Sequence, residues 1–213
     1  MFQNLRDRWE AVWQKLGASA APQEVFDELI KAYSSPDRFY HTLAHIEDCL
    51  SIFDQTKSFA FRPTEVELAI WFHDGVYDTH GSDNEQKSAE WARATIEGLR
   101  IDINTSDRVA DLILATRHTN EVTDADAHLI VDVDLSILGR EAVVFWRYEE
   151  NIRKEYSWVP GPVFRQKRTE ILTSFLNRPS IYFHEEYQGR FEQTARANLK
   201  QAIAKLTQGS GMT

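Results

Sequence analysis

Pro63-Thr64-Glu65-Val66-Glu67-Leu68-Ala69-Ile70-Trp71-Phe72-His73-Asp74-Gly75 opens with capping-box spacing, Thr64 to Glu67, directly after a proline, which marks a helix start. Val66, Ala69, Ile70 and His73 recur at three and four residues, so they share one helical face and His73 points toward the core. Gly75 then releases the chain into a loop, Val76 to Asn84, that carries Tyr77, Asp78 and His80. The adjacent His73-Asp74 pair sets an imidazole nitrogen beside an anionic oxygen, which is half of a divalent-metal site.

The segment upstream reads as a helix from His41 to about Asp54. His41, His45, Cys49 and Ile52 fall on one stripe, and Leu43, Ile46, Leu50 and Phe53 on the next. A helical hairpin would bring His41 and His45 to His73-Asp74. Two amphipathic helices precede it, Phe2 to Leu16 and Pro22 to Tyr33. Downstream, Ser82 to Glu85 has cap spacing before a helix with Ala89, Ala92, Ile96 and Leu99. Another is expected from about Asp107, with His118 near its end. Thr123 to Asp126 opens a run through Leu129, Ile130 and Val133 to Leu138, stopped by Gly139, and Asp132 and Asp134 lie inside it. Val131 to Leu135 also fits a strand, but its flanks favour helix. A Pro160-Gly161-Pro162 turn and helices over Phe164 to Leu176 and Phe191 to about Leu206 complete the chain. No hairpin signal, repeat or low-complexity segment interrupts this, so the expectation is one all-α domain.

Composition supports an ordinary globular protein: 42% hydrophobic and 27% charged residues with 9 Gly and 6 Pro in 213 residues leave room for a large core. The formal charge of −9 argues against binding to nucleic-acid polymers or anionic membranes, so a phosphorylated ligand must meet local cations or a metal. Cys49 is the only cysteine, which excludes an intrachain disulfide and fits a reducing cytoplasm; its apolar neighbours make it a small core residue. Met1 to Trp13 carries Arg6, Asp7, Arg8 and Glu10 and resembles neither a signal peptide nor a membrane span.

Each donor taken singly is an ordinary buried histidine or a capping aspartate. Together they are harder to explain by packing, because several apolar stripes are each interrupted by a metal-competent residue, and an unpaired carboxylate there is costly unless a cation meets it. Three motifs carry the donors: Arg38-Phe39-Tyr40-His41-Thr42-Leu43-Ala44-His45-Ile46, Trp71-Phe72-His73-Asp74-Gly75-Val76-Tyr77-Asp78 and Asp132-Val133-Asp134-Leu135-Ser136-Ile137-Leu138-Gly139. In this order they resemble the HD-domain superfamily of metal-dependent phosphohydrolases, in particular its branch of small bacterial members. The resemblance covers residues 38 to 139 and extends weakly through Arg178-Pro179-Ser180-Ile181-Tyr182.

That resemblance implies an HD-type helical bundle with extra N- and C-terminal helices, the latter over residues 140 to 206. It makes His45, His73, Asp74 and Asp134 the ligands of a divalent ion: Mn, Fe, Co, Ni, Zn or Mg. His45 is preferred to His41 because Tyr40-His41 followed by His45 is also similar to the cyclic-nucleotide phosphodiesterase site, where the earlier histidine protonates the leaving oxygen. Asp134 is preferred to Asp132 because Asp134-Leu135-Ser136 is similar to the pattern of that family. The implied catalytic groups are His41 and Asp74, with His41 alternatively orienting His45 or Asp74. Arg38 and His118 are candidates for substrate binding, with His118 alternatively a second-metal ligand or a surface residue. Lys87 and Arg153 are further candidate phosphate clamps, and Asp78 is a loop cap or a base. The implied substrate is a small phosphoester or phosphoanhydride, nucleotides foremost. A di-iron oxygenase on the same scaffold and a silent metal-binding or nucleotide-binding regulatory module are the alternatives.

Overall fold

The computed structural model describes residues 2–118 and 122–208, and among these the regular elements are helices, without a strand. The helices are α1 (Phe2–Lys15), α2 (Gln23–Tyr33), α3 (Leu43–Thr56), α4 (Pro63–Phe72), α5 (Asn84–Gly98), α6 (Ile103–Ala115), α7 (Ala125–Leu135), α8 (Ala142–Glu155), α9 (Gly161–Leu176), α10 (Glu185–Tyr187) and α11 (Gln193–Gln208). Short 3₁₀ turns follow α3 (Lys57–Phe59) and α7 (Ser136–Gly139), and a π-helical turn (Gln188–Glu192) joins α10 to α11. The all-α expectation holds, including for Val131 to Leu135. The chain divides between Val133 and Asp134 into two compact units. None of the described helices is long and apolar enough to cross a membrane.

In the first unit α4 is the central element and packs against α1, α3, α5 and α6. The sequence pattern assigns it one buried face, yet Glu65, Val66, Leu68, Ala69, Ile70, Trp71 and Phe72 are all buried. A helix enclosed on every side has no polar face to betray its orientation. Trp9, Trp13, Phe26, Trp71 and Phe72, each at most 2% exposed, form an aromatic cluster between α1, α2 and α4 with ring centroids 5.3 to 6.1 Å apart.

The Thr64–Glu67 capping box is not formed. Pro63 takes the first helical position, so the cap falls on Arg62, which makes no side-chain cap bond. Glu67 instead pairs with Arg8 at 2.6 Å. The turn before α4 is satisfied from a distance: the Asp126 carboxylate, in the first turn of α7, accepts from the backbone N–H of Phe61 (2.7 Å) and Arg62 (2.9 Å). Buried Glu65, whose charge complements the helix dipole, accepts two bonds from Arg108 at 2.6 and 2.7 Å. Other starts also shift. α5 begins at Asn84 rather than Ser82, and α6 begins four residues before Asp107. Gly161 and Pro162 form the first turn of α9, where a missing N–H costs nothing.

In the second unit α11 packs against α9 and against the 3₁₀ turn at Ser136–Gly139. Asn198 Nδ2 donates to the carbonyls of Leu138 and Arg140, each at 2.9 Å, and the Tyr182 hydroxyl donates to that of Leu135 at 3.0 Å. A Cβ on Gly139 would overlap the Cβ of Phe191 and approach its carbonyl oxygen to 2.7 Å, so glycine is needed for close approach and not only as a helix stop. Buried Arg168 is held by Glu149 (2.5 and 3.3 Å) and the Tyr148 hydroxyl (2.7 Å). Charge is unevenly shared: residues 1–133 carry 24 Asp and Glu against 12 Lys and Arg, residues 134–213 carry 9 against 12. The acidity that disfavours polyanions therefore belongs to the first unit alone.

Two substitutions test this framework by urea denaturation. Gly139→Ala is expected to cost about 1–3 kcal/mol through overpacking. Asp126→Ala is expected to cost about 1.5–3 kcal/mol, as two backbone donors lose a charged acceptor. Wild-type midpoints in both would show that neither contact holds the fold.

Candidate metal centre

α3 carries His45 in its first turn and Cys49 one turn later, and α4, which packs against α3, ends in His73 as its C-terminal cap with Asp74 next. Three donor atoms converge there. His45 Nε2 lies 3.3 Å from His73 Nε2, His73 Nε2 lies 3.1 Å from Asp74 Oδ2, and His45 Nε2 lies 3.5 Å from the same oxygen. The two imidazoles are 3% exposed and the carboxylate 17%. His73 Nδ1–H donates to the Ile70 carbonyl at 2.8 Å, which fixes the ring so that Nε2 faces the other two donors.

Burial pushes the Asp74 carboxyl up, but the charges of His73 and His41 and hydrogen bonds from His45 and His73 outweigh it. They hold the group well below the usual carboxylate range. Asp74 is thus an anion at neutral pH. The three donor distances define a circle of radius about 1.9 Å, slightly less than the ~2.0–2.2 Å of a bond from zinc to nitrogen or oxygen, so one such ion can reach all three atoms. The donor set, two imidazoles and a carboxylate, suits a borderline divalent ion. Cys49 Sγ stands 3.7 Å from both ring nitrogens of His45, and donor atoms of His45, Cys49 and His73 lie within 4.8 Å of one another.

His41 is placed differently from the helical stripe the sequence predicts. Thr42 is extended (φ −110°, ψ 176°) and its N–H donates to the Tyr40 carbonyl at 2.7 Å, so α3 starts at Leu43 and His41 sits in the bend before it. Its ring still faces the cluster, 6.0 Å from that of His45 between centroids. It stacks on Tyr77 at 4.0 Å and meets Tyr40 edge-on at 4.9 Å.

Arg38, expected to clamp a phosphate, does something else. It is 8% exposed, and its guanidinium donates to the carbonyls of Asp74 (2.6 Å), Gly75 (2.9 Å) and His41 (3.2 Å) while lying over the rings of Tyr33 and Tyr77. A planar fork can bind several oxygens at once, and here they are backbone oxygens. Arg38 therefore ties the His41 bend to the end of α4. Lys87 pairs with Asp83 at 2.9 Å, and Arg153, in the second unit, donates to the carbonyls of Tyr156 and Val159. Asp78 accepts from the His80 N–H at 2.8 Å, which is the loop-cap role.

The structure thus gathers His41, His45, His73 and Asp74. His118 is half-buried in the turn after α6 with φ 58° and is not among the converging donors of the described residues. Asp134, the first residue of the second unit, is half-buried near the end of α7; Asp132, two residues before it, is fully buried. Spacing gives Tyr77 no role and gives Cys49 only a packing one. The stripe that joins Cys49 to His45 was legible, whereas nothing in spacing announces a stack between His41 and a loop tyrosine. Comparison of the chain with family models, curated proteins and solved structures gave no match.

Arg38→Lys keeps the charge but loses the fork. It is expected to lower stability by about 1–3 kcal/mol in chemical denaturation and to shift the ring resonances of His41 and Tyr77 in NMR spectra. Unchanged stability and unchanged ring shifts would show that the guanidinium does not hold this bend.

Proposed function

We propose that this chain is an HD-type metal-dependent phosphohydrolase acting on a small phosphoester or phosphoanhydride, with nucleotides as the first substrate class to test. The observation that carries the proposal is the triangle of His45 Nε2, His73 Nε2 and Asp74 Oδ2, two buried imidazoles and a half-buried carboxylate with edges of 3.1 to 3.5 Å, and an imidazole from His41 alongside. Asp134 is proposed as a further ligand on the pattern Asp134-Leu135-Ser136.

When bound at these residues, a divalent ion supplies positive charge opposite phosphoryl oxygens and makes water more acidic. The chain's own groups do the rest. Asp74 stays anionic, and the bond from His73 to the Ile70 carbonyl holds that ring in its donor orientation. His41 is half-buried against Tyr77, which restricts its ring to one plane, and it gives a proton to the leaving oxygen as the P–O bond breaks. Near-complete burial of His45 and His73 limits competing water and strengthens every charge interaction in the site.

The test is elemental analysis of purified protein followed by a phosphate-release and pyrophosphate-release screen with nucleotides. About one divalent ion per chain is expected in the wild type and little in Asp74→Ala. His41→Ala is expected to keep the ion while losing about 10²–10⁴-fold in turnover. Two irons per chain without hydrolysis would favour the oxygenase, an ion without turnover of any nucleotide a binding module, and no ion in any preparation would overturn the site.

A further inference from the structure

We propose that Cys49 is a sulfur ligand of this centre and makes it select a thiophilic ion, zinc, iron(II) or cobalt(II), over magnesium or manganese. This rests on the metal reading above and adds the class of metal to it. Cys49 lies four residues after His45 on α3, so both side chains leave the same face of one helix. Its sulfur is 3.7 Å from Nδ1 and from Nε2 of His45, and the donor atoms of His45, Cys49 and His73 fall within 4.8 Å of one another. What distinguishes this position is that a free thiol, 3% exposed, is turned toward the imidazole whose partner nitrogen and carboxylate already converge.

Chemistry decides the consequence. Histidine and carboxylate donors discriminate little between first-row ions, whereas a thiolate strongly favours soft or borderline ions and contributes little to magnesium. On binding, the S–H bond breaks, the sulfur keeps the electron pair as it bonds to the ion, and the proton passes to solvent. One rotatable bond joins the sulfur-bearing carbon to the backbone, so the sulfur reorients without any movement of α3. The same turn of helix would then supply two donors of different softness.

Cobalt(II) reports on each donor class separately. The full-length protein, purified with a phosphine reductant in place of thiols, is stripped with chelator and loaded with cobalt, and its cobalt content and absorption spectrum are recorded. Cys49 is the only cysteine, so a sulfur-to-cobalt charge-transfer band in the near ultraviolet has one possible origin in a monomeric sample. The expected result is about one cobalt per chain with that band. Cys49→Ser and Cys49→Ala should keep visible ligand-field bands, lose the charge-transfer band, and bind zinc on the order of 10–100-fold more weakly with manganese affinity unchanged. Cobalt bound without the charge-transfer band in the wild type overturns the inference and leaves the metal reading standing. No cobalt bound at all overturns both. The wild-type spectrum decides even if neither variant folds.

Discussion

Two imidazole nitrogens and a carboxylate oxygen held within 3.5 Å of one another, where water has little access, are the constraint around which the first unit is arranged. Such a group is unfavourable to assemble without a cation, because burial removes the solvation that an anion and lone pairs otherwise enjoy. The protein meets that cost with fixed dipoles and packing. The Ile70 carbonyl orients His73, hydrogen bonds from His45 and His73 stabilise the Asp74 anion, and the aromatic cluster between α1, α2 and α4 packs against the helix that carries His73 and Asp74.

α4 illustrates how a short helix is made rigid enough to position a site. Ten residues are marginal as an isolated helix, and packing rather than propensity holds them. Its N-terminal approach is gripped by Asp126 and its first turn by Arg108 through Glu65, and near its C-terminus the Tyr33 hydroxyl donates to the Trp71 carbonyl at 2.9 Å. His73 and Asp74 therefore hang from a rod anchored at both ends. The proposed reaction needs that rigidity, since displaced donors would no longer meet one ion.

Much of this was legible in the sequence, and the rest was hidden for identifiable reasons. Helical periodicity exposed the all-α class; His45 and His73 stood out because each interrupts an apolar stripe, and Asp74 because it adjoins His73. Periodicity said nothing about α4 being enclosed on all sides, because an apolar helix reads the same whether one face or every face is covered. The cap by Asp126 was hidden by distance: its partners are more than 60 residues away, while the local Thr64–Glu67 spacing offered a nearer and mistaken answer. Arg38 misled for a related reason. A sequence shows that a cation is present but not whether its donors are spent on backbone oxygens.

That choice of backbone oxygens has a consequence for how the site can change. Arg38 grips the peptide groups of His41, Asp74 and Gly75 and none of their side chains. The scaffold is in this sense blind to the identity of residues 41 and 74, and a substitution there alters the reactive group while the main chain stays fastened. Scaffold and chemistry are separable in this corner of the molecule. A lineage or a designer can exchange the functional side chains one at a time and keep the fold that presents them.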